Sequence, residues 1–167
     1  MAAQQTMSEK DMYLMAFEME YQTTLKVLRA YPAAKAELKP SERSVSAREL
    51  VWTMVLNQMV VEPILQGRLM PEGFPPAPAT WAEVLAAFEG AHKKIAAKLA
   101  TIKDEAMNGT VHTIVGPKKE ADVRTGNMLW MMLNDTIHHR GQLSVYLRIA
   151  GGKVPSIYGP SGDEPWM

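Results

Sequence analysis

Two residues in the last third of the chain have the types and spacing to do chemistry together: Asp135 and His139. They stand four apart, and at 3.6 residues per turn this sets both side chains on one helix face, one turn from each other. Gln142 continues the stripe, which starts at Met128 and Met132 and ends at Tyr146. Leu129, Leu143 and Leu147 flank it on one side, Met131 and Ile149 on the other. The stripe is therefore predicted to face the interior with a polar middle. Buried polar groups cost of the order of 1–3 kcal/mol each unless they find partners. Three arrangements would provide them. The pair can simply fix packing through a hydrogen bond. Asp135 can orient the His139 imidazole for proton transfer. Or both can coordinate a divalent metal, with further ligands from another helix. Spacing alone does not choose among these.

Four long helical patterns must position such a pair. The first runs from about Ser8 to Ala30, with Leu14, Phe17, Tyr21, Leu25 and Leu28 on one face, and stops at Pro32. The second runs from about Ala47 to Gln66. It opens with a capping box, Ser46 and Glu49, and is expected to kink or end at Pro63. The stretch from Gly67 to Ala79, rich in proline, reads as loop. The third helix opens with a second capping box, Thr80 and Glu83, and is predicted to reach about Met107, where Asn108-Gly109 stops it. His92 falls on its apolar side, as a core histidine. Thr110 to Ile114 alternates enough for a short strand, and Gly116 to Ala121 reads as polar loop. The fourth helix spans about Val123 to Ala150, with Gly151-Gly152 as its stop. The last residues, 153–167, read as an ordered tail. The pattern predicts an all-α four-helix bundle as a single domain over residues 1–167. Trp130, Ile137, Gly141 and Ser144 lie away from the polar stripe and predict an exposed partner surface, a homodimer being the simplest occupant.

Composition removes several classes. The chain of 167 residues has 18 Lys+Arg against 18 Asp+Glu, so it lacks the basic footprint of a nucleic-acid binder. The same neutrality gives no attraction to an anionic membrane. No apolar run approaches the roughly 20 residues of a membrane span. Met1 to Asp11 is polar and mixed in charge, unlike a secretory leader. Cysteine is absent, which excludes disulfides, thiolate metal sites and a cysteine nucleophile, and suits a cytoplasmic location. No phosphate loop, nucleophile elbow or H-E-x-x-H pair occurs.

The segment Asp135 to Arg148 (DTIHHRGQLSVYLR), followed by Val154 to Ser161 (VPSIYGPS), resembles the C-terminal signature of the DinB-like (DinB/YfiT) superfamily. Phe17 to Leu28, Ser44 to Leu50 and Trp52 resemble its front half more loosely. The resemblance implies a bundle with up-down-down-up connectivity, often dimeric. It implies a divalent metal held by three histidines, one from an E-L-x-x-H run on the second helix and two from H-x-x-x-H-R-G-Q on the fourth. It also implies thiol transferases, isomerases or hydrolases among its relatives. Here the second-helix run ends in Thr53, the first position on the fourth helix is Asp135, and only His139 matches a family ligand. A threonine hydroxyl is a poor ligand for zinc or nickel. Glu49 stands one turn before Thr53 as a substitute. The sequence therefore reads as a DinB-like bundle with a degenerate metal site formed by His139, Asp135 and Thr53. Gln142 and Glu49 are added as ligand-binding candidates. Such a site would hold Zn, Ni or Mn weakly or not at all, or a small molecule or thiol. The alternatives are an active metal-dependent transferase or hydrolase using Asp135 and His139, a metal-free acid–base dyad, and a non-enzymatic dimeric interaction protein.

Overall fold

The structure, a computed structural model, describes residues 7–70 and 73–167. Its long helices are α1 (Glu9–Ala30), α2 (Ala47–Met59), α4 (Trp81–Thr101) and α5 (Thr125–Ile149), with a single turn, α3 (Val61–Leu65), after α2. Both predicted capping boxes form: Ser46 and Thr80 each accept from the backbone of a glutamate three residues on, which returns the bond. Pro63 acts where proline chemistry says it should. Its ring clashes with the carbonyl four residues back, which is Met59, and α2 ends at Met59.

Contacts between helices fix the connectivity. Glu9 meets Arg124 and Trp130 while Glu20 meets Arg140, so α1 and α5 run parallel. Asn57 meets Asp135 and the backbone of Val45 meets Tyr146, so α2 runs against α5. Lys10 meets Ile102 while Glu18 meets His92, so α4 runs against α1. The bundle is thus up-down-down-up.

Three sequence expectations need correction. The third helix stops at Thr101, not Met107, and a 3₁₀ turn over Asp104–Asn108 follows. Within the stretch read as loop, Arg68–Leu69 forms a strand, β1, pairing parallel with β2 (Thr110–Gly116). The segment from Gly116 to Ala121 is not loop. It turns at Pro117-Lys118 and returns as β3 (Lys119–Arg124), antiparallel to β2, so the last helix starts at Thr125. Lys118 takes the positive φ of 56° that the tight turn needs. Charged β3 residues offer no alternating apolar pattern; cross-strand pairs hold the hairpin instead. His112 bonds Asp122 through Nδ1 and Glu120 through Nε2, both at 2.9 Å.

The core has two apolar clusters stacked along the bundle. One gathers Leu28, Val51, Phe88, Leu143 and Leu147. The other gathers Tyr13, Phe17, Ile64, Ile95, Leu129 and Leu133. Between them, every long helix turns a polar group inward. These are Glu20 and Thr24 from α1, Gln58 from α2, His92 from α4, and Thr136 and Arg140 from α5. Arg140, 2% exposed, donates to Glu20 at 2.5 Å and to the Tyr158 hydroxyl at 2.5 Å. Tyr158 belongs to the C-terminal tail and lays its ring over the guanidinium, 5.1 Å from the ring centre. The tail is further tied by Asp163 to Arg148 and to the Val154 amide.

His92 lies in this layer, stacked on Tyr21 with ring centres 3.5 Å apart and bonded to Glu18 at 2.8 Å. Burial pushes its pKa below the ordinary 6.5, against the pull of Glu18. The unfolded ring then binds a proton that the folded ring resists. His92 costs no stability above about pH 6.5 and lowers stability as pH falls below it. His112 has the opposite sign. Asp122 and then Glu120 raise its pKa, so its contribution is present below about 6.5 and is lost as pH rises through the raised value. Urea unfolding at pH 7 and pH 5.5 should therefore show a smaller acid loss in His92→Phe and a larger one in His112→Ala than in the native chain.

Candidate functional site

Asp135 and His139 do come together, but not in the centre of the bundle. The buried face of α5 is Leu129, Leu133, Thr136, Arg140, Leu143 and Leu147. The predicted stripe is rotated from it by about one residue, roughly 100°. Its ends, Met128 and Tyr146, are buried against neighbours, while its middle lies along the edge facing α2. The His139 side chain is 18% exposed and that of Asp135 39%. Gln142 is exposed, contrary to the predicted inward position.

The geometry is a chain of hydrogen bonds. Asn57 Nδ2 donates to Asp135 Oδ2 at 2.8 Å and to Thr136 Oγ1 at 3.2 Å. The same Asp135 oxygen faces His139 Nε2 at 3.1 Å. His139 Nδ1 faces Gln142 Oε1 at 2.9 Å, and Gln142 Nε2 faces His138 Nε2 at 3.0 Å. A proton on Nε2 is thus held toward Asp135, and one on Nδ1 toward Gln142. This is a positioned imidazole with a carboxylate behind it, the arrangement that orients a histidine for proton transfer.

Asn57 was not singled out from the sequence. An amide on α2 has no local signal for a role set by a residue 78 positions away. Its position reveals the register: Asn57 lies opposite Asp135 and Val45 opposite Tyr146. One turn back along antiparallel α2, Thr53 therefore lies opposite His139. The three positions implied by the family resemblance fall on facing turns of two helices.

The donor set does not fit a tight three-ligand metal. Thr53 spends its hydroxyl proton on the Glu49 carbonyl at 3.2 Å, and its neutral oxygen is a weak donor. Glu49 closes the capping box, its carboxylate accepting from the Ser46 amide at 2.8 Å. That amide bond, then the Ser46 side chain, hold its pKa below the usual range. Nε2 of His139 is turned to Asp135, so both remaining donors serve each other. Among the described residues, no three of His, Cys, Asp or Glu are grouped to hold a metal ion.

Beside this array, between α2, α5 and the sheet, runs a groove of about 420 Å³. Thr53 and Asn57 line its polar end; Phe74, Met128, Met131 and Met132 supply much of its apolar wall. Trp130, expected on an exposed face, is half-buried: it meets Tyr13 edge to face at 5.1 Å and donates to Glu9 at 3.3 Å. Gly141, one of its predicted companions, remains on the surface. No helix among the described residues is long and apolar enough to cross a membrane.

A four-helix bundle with this connectivity and these paired positions on the second and last long helices defines a class. The chain belongs to the DinB family, whose pattern matches residues 5–166. It is similar in fold to a DinB-like protein of Bacillus cereus ATCC 10987, with a TM-score of 0.71 at 20% identity over 87% of this chain and 95% of that one. It is also similar to the DinB-like protein YjoA of Bacillus subtilis, with a TM-score of 0.67 at 19% identity over 84% and 92%. YfiT of Bacillus subtilis, described as a probable metal-dependent hydrolase with an unusual four-helix bundle topology, gives 0.58 at 14% identity over 89% and 94%. A 39-residue stretch is 46% identical to the uncharacterized protein YrdA of Bacillus subtilis (strain 168), and the chain spans only 23% of that relative's length.

Proposed function

We propose that this DinB-family chain carries a degenerate metal site and uses Asn57, Asp135 and His139 as the polar end of a small-molecule site. The groove beside them would take the apolar remainder of the ligand. The observation that carries this reading is the shared wall. Asn57 both anchors Asp135 and lines the groove, so it links a molecule in the groove to the Asp135–His139 pair. Ligands of this shape are small and largely apolar, with one group able to exchange hydrogen bonds, a thiol or carboxyl among them. His139 then serves as the proton donor or acceptor through Nδ1, which the exposed Gln142 gives up to the ligand, while Asp135 fixes the ring through Nε2. Divalent ions are held weakly, by two donors already engaged with each other.

The test is elemental analysis of untagged protein prepared without chelator, then titration with Zn, Mn and Ni. Substoichiometric metal and weak, nonsaturating titrations are expected. One tight equivalent per chain, lost in His139→Ala, would replace this reading with a working metal site of the kind named for YfiT.

A further inference from the structure

Among the described residues, two buried side-chain atoms of the polar layer are left without a hydrogen-bond partner. They are Nδ1 of His92 and Oε1 of Gln58, on residues 6% and 4% exposed. Both residues wall the same cavity, together with Tyr13, Glu20, Asn57 and Thr136.

Their chemistry says what is missing. His92 Nε2 lies 2.8 Å from a Glu18 carboxylate oxygen, which in its ionised form only accepts, so the ring proton belongs on Nε2. Burial keeps the ring neutral by lowering its pKa. Nδ1 therefore presents a lone pair. Oε1 of Gln58 is also an acceptor, so in this amide orientation the two do not satisfy each other. A single group serving both must donate twice. The cavity has about 20 Å³ of room for the centre of a water molecule, where one water needs roughly 10–15 Å³. A metabolite is far too large for it.

We propose that this cavity holds one resident water molecule that donates a proton to His92 Nδ1 and another to Gln58 Oε1, closing the polar layer and fixing His92 as the Nε2–H tautomer. Asn57, which faces this cavity on one side, holds Asp135 on the other, and Thr136 in the same wall accepts from the same Asn57 amide. The water thus sits behind the carboxylate's side-chain support from α2. It stands whether or not the groove takes a ligand, since none of its partners is Asp135 or His139.

A high-resolution crystal structure of the native protein and nitrogen-15 shifts of its histidine rings test this together. One full-occupancy water within hydrogen-bond distance of both atoms, with a pyridine-type Nδ1 on His92, is expected. Oxygen-17 relaxation dispersion should count one long-lived water fewer in Gln58→Leu than in the native chain. An empty cavity, a proton on His92 Nδ1, or an unchanged count of long-lived waters in a folded Gln58→Leu would overturn the proposal. So would density that responds to exchange of potassium for rubidium, which would make the occupant a cation.

Discussion

Arg140→Ala is expected to destabilise the fold by about 3–5 kcal/mol, the range for breaking one side of a buried ion pair. The Arg140 side chain is 2% exposed and its partner Glu20 12%. Removing the guanidinium strips Glu20 of its counter-charge, leaves Thr24 without that donor and unlocks Tyr158 of the tail. Much of the loss is the cost of a stranded charge, not the worth of the pair. The controls follow from that. Arg140→Met combined with Glu20→Met should recover most of the stability, because neither charge is then buried alone. Tyr158→Phe, which removes one neutral hydroxyl, should cost only about 1 kcal/mol. Urea unfolding of the four proteins decides the matter. An Arg140→Ala loss below about 1 kcal/mol would mean that water reaches Glu20 and the pair behaves as a surface one.

Arg140 also shows where reading the sequence reaches its limit. Helix existence was legible, because capping boxes and stops are local chemistry: Ser46 with Glu49 and Thr80 with Glu83 formed as expected. The phase of the last helix was not. An arginine ranks among the residues least often fully buried, so a polar stripe with one histidine looked more like a core face than a row centred on Arg140. Only Glu20, 120 positions earlier, makes that burial affordable. The β2–β3 hairpin was half legible for a related reason. Val111 and Thr113 bury on β2, while β3 is a charged edge strand whose register is set by cross-strand contacts such as His112 with Asp122. The candidate site divides the same way. Asp135 and His139 share a helix face by spacing alone and are bonded as that spacing implies. Asn57 is tertiary, and so is the groove, which needs residues from α2, α5, the loop and the sheet together.

Thr53→His combined with Asp135→His should raise the affinity for Zn or Ni by roughly a hundredfold or more, since three imidazoles with open positions make a set both metals accept. The backbone frame for such a set is already present. Asn57 opposite Asp135 and Val45 opposite Tyr146 place position 53 across from His139. What the native chain lacks is donor chemistry, because Thr53 is turned to its own helix and Asp135 is engaged with Asn57 and His139. Thr53→His alone keeps Asp135 and should gain less, because the carboxylate must first give up both bonds. Competition titrations on the two variants, and on the double variant with His139→Ala added, separate the contributions. The gain should vanish in the last of these. If the double variant binds no better than the native chain, positions 53, 135 and 139 do not converge on one point. Asp135 and His139 would then have to be read as a hydrogen-bonded pair with no relation to a metal centre. If it does bind, the difference between this chain and a metal-holding bundle comes down to two side chains on an otherwise ready scaffold.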